Sequence, residues 1–210
     1  MKTRLVFLGP PGAGKGTQAS IVSSRFSLPW LATGDMLRDE IARKTTLGIA
    51  AKNYVDDGKL VADEVVNAIL KERLREHRNG FVLDGYPRTI EQAEYLDSIV
   101  TLDKVLFFDA PEDVLVERII NRRICPACNA VYNISEYKPK VDGVCDRDGT
   151  RLELRSDDNA QVASFRIKTF WEKTAPLVSY YFEKDILAKI TASLPFDEVT
   201  REILQVLESD

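Results

Sequence analysis

The sequence predicts an α/β protein, built as a parallel sheet with helices on both faces and carrying two insertions. Three observations predict this. The chain opens with a strand pattern that runs through a Gly-rich turn into a helical pattern, the start of a parallel α/β unit. Two later apolar runs, Phe81-Val-Leu and Val105 to Phe108, each follow a helical stretch, and such continuous runs mark strands covered on both faces. Near residue 124 the helical period stops and a segment holding Cys, Gly and Pro takes over, which reads as an insertion outside the sheet.

Taken in order, Lys2 to Leu8 is expected to be the first strand and Gly14 to Phe26 the first helix, with Ala19, Val22 and Phe26 on its period. Val65, Val66, Ile69, Leu70 and Leu74 share one face of a helix that Gly80 closes off before the strand at Phe81. Thr89 to Ile99 is helical in pattern. Pro111 sits at a helix start, where its missing amide costs nothing, and Val114, Leu115 and Ile119 carry that helix to about Arg123. Residues 124 to 155 contain short alternating pieces such as Ala130 to Ile134 and read as loops with a hairpin. A helix through Val162, Phe165, Thr169 and Phe170 is interrupted or bent by Pro176 and continues through Tyr180. Lys189 to Ala192 is the last expected strand, and Val199, Ile203, Val206 and Leu207 mark a C-terminal helix. The expected division is a core of 1–32, 63–122 and 161–210, a first insertion at 33–62 and a second at 123–160.

Composition sets bounds. With 210 residues, 44% hydrophobic and 30% charged, the chain is globular and not disordered. A net charge of −4 argues against a general nucleic-acid surface, although a local arginine cluster can still gather phosphates. No run approaches the ~20 apolar residues of a membrane span, so a cytoplasmic protein without a membrane partner is expected. Three cysteines, an odd number, point away from a disulfide framework and toward a metal site.

Gly9-Pro-Pro-Gly-Ala-Gly-Lys15-Gly-Thr17 lies between the first strand and the first helix, the context that makes such a run a phosphate loop. The glycines let successive amides turn toward one anion, and the helix adds its positive end. Gly12, Ala13, Gly14, Lys15, Gly16 and Thr17 are therefore expected to hold a nucleoside triphosphate, with Lys15 on its terminal phosphates. This makes the core a P-loop NTPase-type sheet. Gly16 stands where the strict pattern has Ser or Thr, with Thr17 one place later, which puts direct hydroxyl ligation of magnesium in doubt. Asp84 ends an apolar strand, from where a carboxylate can orient water on magnesium or cap a helix; Asp109, at the next strand end, reads as a cap. Arg118 and Arg122 are four apart in the expected helix and leave from one face. They either grip phosphates or form a salt-bridged surface with Glu117, while Arg123 points about 100° away. The single histidine, His77, lies in a polar helix end and reads as solvated.

Cys125-Pro-Ala-Cys128 and Cys145-Asp-Arg-Asp148 form two knuckles with residues 129–144 between them, the spacing of one tetrahedral zinc site. Asp148 suits the fourth position better than Asp146, whose adjacency to Cys145 strains joint ligation. Unused thiols, or one disulfide with a thiol left over, are the alternatives.

Several ordered motifs resemble the adenylate kinases. Gly9 to Gln18 is similar to the family's GxPGxGKGTQ, Thr33-Gly-Asp-Met-Leu-Arg38 to its TGDMLR, and Asp84-Gly-Tyr-Pro-Arg88-Thr to its DGFPRT with Tyr86 for Phe. The resemblance runs from Arg4 to the C-terminal helix, and Pro29-Trp30-Leu31-Ala32 departs from it. It implies ATP + AMP ⇌ 2 ADP with Mg2+, ATP, AMP and ADP as the partners, and a monomer. It also implies that Arg118, Arg122, Arg155 and Arg166 contact phosphates. Arg38 and Arg88 would clamp the monophosphate, Gln92 read the adenine edge, and Thr33, Gly85 and the backbone near Val61 complete that pocket. For Gln92 the residue alone reads as a solvated helix position, and the base-reading role comes from the resemblance. Asp157 and Asp158 match the family's RxDD segment and would lock lid arginines, and the knuckles match its long-lid, zinc-binding form with structural Zn2+. Other readings are a GTP:AMP transferase, another nucleoside monophosphate kinase, a P-loop switch, or a zinc-ribbon nucleic-acid binder. Against the last, Glu136 and Asp142 break up any basic stripe.

Overall fold

The computed structural model describes residues 3–57, 59–155 and 158–209. Lys2 and Asp157 lie outside the described residues. Five parallel strands, β1 (Arg4–Leu8), β2 (Trp30–Ala32), β3 (Phe81–Asp84), β4 (Lys104–Asp109) and β7 (Leu187–Thr191), form one sheet in the order β2-β3-β1-β4-β7. The helices are α1 (Lys15–Phe26), α2 (Thr33–Ala42), α3 (Thr46–Asp56), α4 (Asp63–Glu76), α5 (Ile90–Ile99), α6 (Glu112–Ile120), α7 (Ala160–Thr169), α8 (Pro176–Glu183) and α9 (Phe196–Glu208). One π-helical turn, Phe170–Thr174, joins α7 to α8, and Pro176 opens α8, where it forfeits no hydrogen bond.

The sheet is buried on both faces because its side chains alternate. Val6, Leu8, Leu83 and Val105 enter one core with α2, α4, α5 and α8, and Leu5, Phe7, Val82 and Leu106 enter the other with α1, α6, α7 and α9. This is the physical source of the apolar strand runs. Register Phe7↔Asp84 sets the end of β3 level with the start of the Gly-rich loop, so loop and carboxylate share the carboxyl edge of the sheet. Ligands bind open α/β sheets at that edge.

Three expectations change. α6 stops at Ile120, so Arg122 is not on a helix face with Arg118; it begins a short strand, β5 (Arg122–Ile124), which pairs antiparallel with β6 (Val131–Asn133) through Arg122↔Asn133. Asp109 caps nothing: Pro111 occupies the cap of α6 without a side-chain bond, and the Asp109 carboxylate meets Lys189 Nζ at 2.7 Å. The last strand begins at Leu187 and ends at Thr191 because it tracks β4, Val105↔Leu187 to Asp109↔Thr191.

Candidate active site

A cleft of about 640 Å³ runs along the carboxyl edge of the sheet. Its walls include Gly12 to Thr17, Thr33, Arg38, Val61, Asp84, Gly85, Arg88, Gln92, Arg118, Arg122, Arg155 and Arg166, so segments far apart in the chain converge on one space. His77 stands outside it, at the C-cap of α4.

The loop after β1 is held against α6. Gly12 has φ +86°, and a Cβ there would lie 2.5 Å from the Leu115 carbonyl, so only glycine fits. Gly14, also left-handed at φ 82°, caps α1 and leaves the helix's first amides without a side-chain partner, available to an anion. Lys15 Nζ donates to the Gly9 and Pro10 carbonyls, both at 2.7 Å, which folds its amine back over the loop. Asp84 faces that loop, with Oδ2 lying 3.5 Å from where a Cβ on residue 16 would stand. It caps no helix, since Thr89 caps α5 by accepting the Gln92 amide.

Enclosure pushes the Lys15 amine down to about 8, with Asp84 opposing and Arg88, Arg166 and Arg122 assisting. Burial raises the Asp84 carboxyl, against the pull of Lys15 and Arg88. Between pH ~8 and the unfolded value near 10.5, Lys15 is neutral in the fold and charged in the unfolded chain, so its contribution to stability rises with pH across that window. A polyphosphate needs the charged form. KM for the triphosphate is therefore expected to rise by about tenfold per pH unit above ~8, the slope of one proton taken up on binding, and Lys15→Arg should flatten that profile; initial rates from pH 7 to 9.5 check it.

On the monophosphate side, Thr33 Oγ1 donates to the Asp84 carbonyl at 3.1 Å and Arg88 Nε to the Gly85 carbonyl at 2.8 Å. Gly85 has φ +79°, and a Cβ there would meet Thr33 Oγ1 at 2.8 Å. Arg38 pairs with Asp35 one turn earlier. Opposite, Asp158 has a fully buried side chain whose two oxygens accept from Nε and Nη2 of Arg122, and it lies 3.6 Å from Arg166 Nη1. A buried carboxylate with paired cations holds those side chains in place. Arg118 donates to the Ala192 carbonyl at 2.7 Å and to Glu136 at 2.8 Å, not to Glu117.

The adenylate kinase family profile matches residues 7–186. Similar chains are named adenylate kinase in Acholeplasma laidlawii (44% identical, 99% of both chains covered), Kosmotoga olearia (45%, 98% of this chain and 99% of that one) and Thermotoga neapolitana (42%, 99% and 98%). The chain belongs to the adenylate kinase family.

In this adenylate kinase family member the second insertion carries a compact donor cluster. Ligand atoms of Cys125, Cys128, Cys145 and Asp148 all lie within 4.8 Å of one another. Cys128 and Cys145 Sγ are 3.6 Å apart and Cys125 Sγ is 3.3 Å from Asp148 Oδ2. A zinc–sulfur bond of ~2.3 Å implies tetrahedral edges of about 3.8 Å, so the donors fit that ion. The knuckles match each other: Asn129 donates to Cys125 O and Gly149 to Cys145 O, both at 3.0 Å, and both turn residues are left-handed. Cys125, Cys128 and Cys145 are free thiols, so the disulfide alternative falls. Asp146 is turned away, its carboxylate accepting the Lys140 amide at 2.8 Å. Burial, with hydrogen bonds to Asp148 and the other thiols, pushes Cys128 up to about 12. The Thr150 amide first, then Cys128, holds Asp148 well below the usual carboxylate range. A metal entering this site therefore displaces protons.

Sequence reasoning missed three cleft neighbours. Trp30, on β2, lines the cleft beside Gly16. Tyr137 of the second insertion stacks on Phe196 at the start of α9, ring centroids 4.8 Å apart. Asp63 bonds Gln92 and Thr89; its only local signal was an acid in the first turn of α4. Among the described residues no helix is long and apolar enough to cross a membrane.

Proposed function

We propose that the chain catalyses reversible phosphoryl transfer, ATP + AMP ⇌ 2 ADP. The observation that carries this is the meeting of the loop amides, Lys15 and five arginines (Arg88, Arg118, Arg122, Arg155, Arg166) on one cleft with a second pocket at Thr33, Arg38, Val61, Gly85 and Gln92. Such chemistry asks for positioning and charge neutralisation, because the attacking phosphate oxygen is already anionic and needs no base.

Gly12 to Thr17 hold the donor's phosphates through their amides, and Lys15 swings from its loop carbonyls to the terminal phosphate. Arg118 and Arg122 steady the donor. Arg38 and Arg88 grip the monophosphate, Arg155 and Arg166 neutralise the charge between the two nucleotides, and Gln92 reads the acceptor base. Asp84 is the residue that would hold the water of a Mg2+ bound with ATP, an ion that would supply positive charge against the donor phosphates. Residues 33–62 and 123–160 close over the two nucleotides and exclude water, which spares the donor from hydrolysis. The four-ligand site leaves no open position, so Zn2+ there is structural. The chain acts in the cytoplasm as a monomer, without nucleic-acid or membrane partners.

The test is ADP formation with AMP, CMP, UMP and GMP as acceptors and ATP or GTP as donor. AMP with ATP should lead in kcat/KM by about 100-fold or more over the pyrimidine acceptors. UMP outpacing AMP would overturn the acceptor pocket, and GTP outpacing ATP would reassign the donor.

A further inference from the structure

Gln92 is held by two partners of opposite kind. Its Oε1 accepts the Arg88 amide at 2.7 Å, and its Nε2 donates to Asp63 Oδ1 at 2.6 Å. A backbone amide can only donate and a carboxylate only accept, so turning the Gln92 amide over would set N–H against N–H and carbonyl against carboxylate. Asp63 is itself anchored. Its Oδ2 accepts Thr89 Oγ1 at 2.9 Å, and the same hydroxyl oxygen accepts the Gln92 backbone amide at 3.2 Å. The ring ties the first turn of α4 to that of α5. Gln92 is 2% exposed and lines the cleft. After these bonds its side chain keeps one N–H and one carbonyl lone pair.

We propose that Asp63 is a specificity-determining positioning residue, which pins the Gln92 amide in the single orientation that suits a 6-aminopurine and excludes a 6-oxopurine. Adenine offers an amino donor at C6 beside an unprotonated ring nitrogen; hypoxanthine and guanine offer a carbonyl acceptor beside a ring N–H. An amide free to turn serves either pattern by flipping. A pinned amide serves one, and the other base leaves buried polar groups unpaired. Asp63 touches no substrate and acts only through Gln92, so the inference rests on Gln92 reading the acceptor base.

The experiment compares AMP with inosine monophosphate as acceptors for the wild type, Asp63→Ala, Asp63→Asn, Gln92→Ala and the Asp63→Ala/Gln92→Ala double variant. Asp63→Ala should raise KM for AMP and lower the AMP-to-IMP ratio of kcat/KM by about tenfold, with KM for ATP unmoved. Asp63→Asn, whose side-chain carbonyl still accepts from Gln92, should restore most of that ratio. The double variant should lose no more selectivity than Gln92→Ala alone, because the two residues act as one unit. Asp63→Ser, suited to a helix start but too short to reach Gln92, gives the same readout if the alanine variant folds poorly. Selectivity kept by Asp63→Ala and Asp63→Ser while Gln92→Ala loses it, or strictly additive losses, overturns the role of Asp63. Selectivity untouched by Gln92→Ala overturns the base-reading role itself and the present inference with it.

Discussion

Lys15→Met lowers kcat by about 10³-fold, the scale of removing one preorganised donor from developing phosphate charge, while the melting temperature moves by only a few degrees. The two effects separate because Lys15 is a liability to the resting fold. Its amine is enclosed, and burial together with the neighbouring Arg88, Arg166 and Arg122 lowers it to about 8, so holding a cation there without a bound anion costs stability. Methionine keeps the length and apolar stem, removes that cost, and leaves the Gly9 and Pro10 carbonyls to water in the open cleft. Rates at saturating nucleotide and thermal melts of the same preparations check the prediction. A fall of less than about tenfold in kcat would mean that the arginines carry the transferring phosphate without Lys15.

Removing the metal from the second insertion has the largest expected effect on stability. The knuckle segment packs a small core of its own, Cys125, Ala130, Tyr132, Cys145 and Leu152. So little apolar area cannot order a segment of this length, and in the proposed zinc-bound form ligation would supply the remainder. Most of the binding energy would go into ordering the insertion, and a net surplus of a few kcal/mol, at about 2–4 °C per kcal/mol for a chain of this size, predicts a Tm lower by about 10 °C once the metal is removed. A strong chelator or Cys145→Ser should give that shift, with metal analysis finding one zinc per untreated chain. At 25 °C turnover persists, because the loop, Lys15 and Arg88 sit on the sheet and not on the knuckles. Melting curves that coincide with and without chelator would remove the structural metal.

Most of the core could be read from residues alone because parallel strands covered on both faces announce themselves as apolar runs, as at Phe81 and Val105, and because a phosphate loop needs its glycines at fixed places. What escaped was decided by distant partners. The one local stop signal near Ile120 is Asn121, which takes the C-cap; Arg122 and Arg123 are good helix formers, and it is pairing with Val131–Asn133 that draws them into a strand. β2 is three residues long, held by Trp30↔Val82 and Ala32↔Asp84, too short for any period to register. Arg118 and Arg122 still reach one cleft, but from a helix and from a hairpin. Asp63 and Gln92 meet only because α4 and α5 pack together, and no local pattern could pair them.

The central place of β1 bears on how the molecule is made. Its two neighbours are β3 and β4, so residues 4–8 have no sheet partner until residues 81–84 and 104–109 exist. On a ribosome, where the chain emerges from its amino end, the strand that leads into the Gly-rich loop must wait as an unpaired apolar ribbon while about half the protein is synthesised. Early folding then belongs to local helices, and the late arrival of β3 and β4 converts them into a sheet in one long-range step.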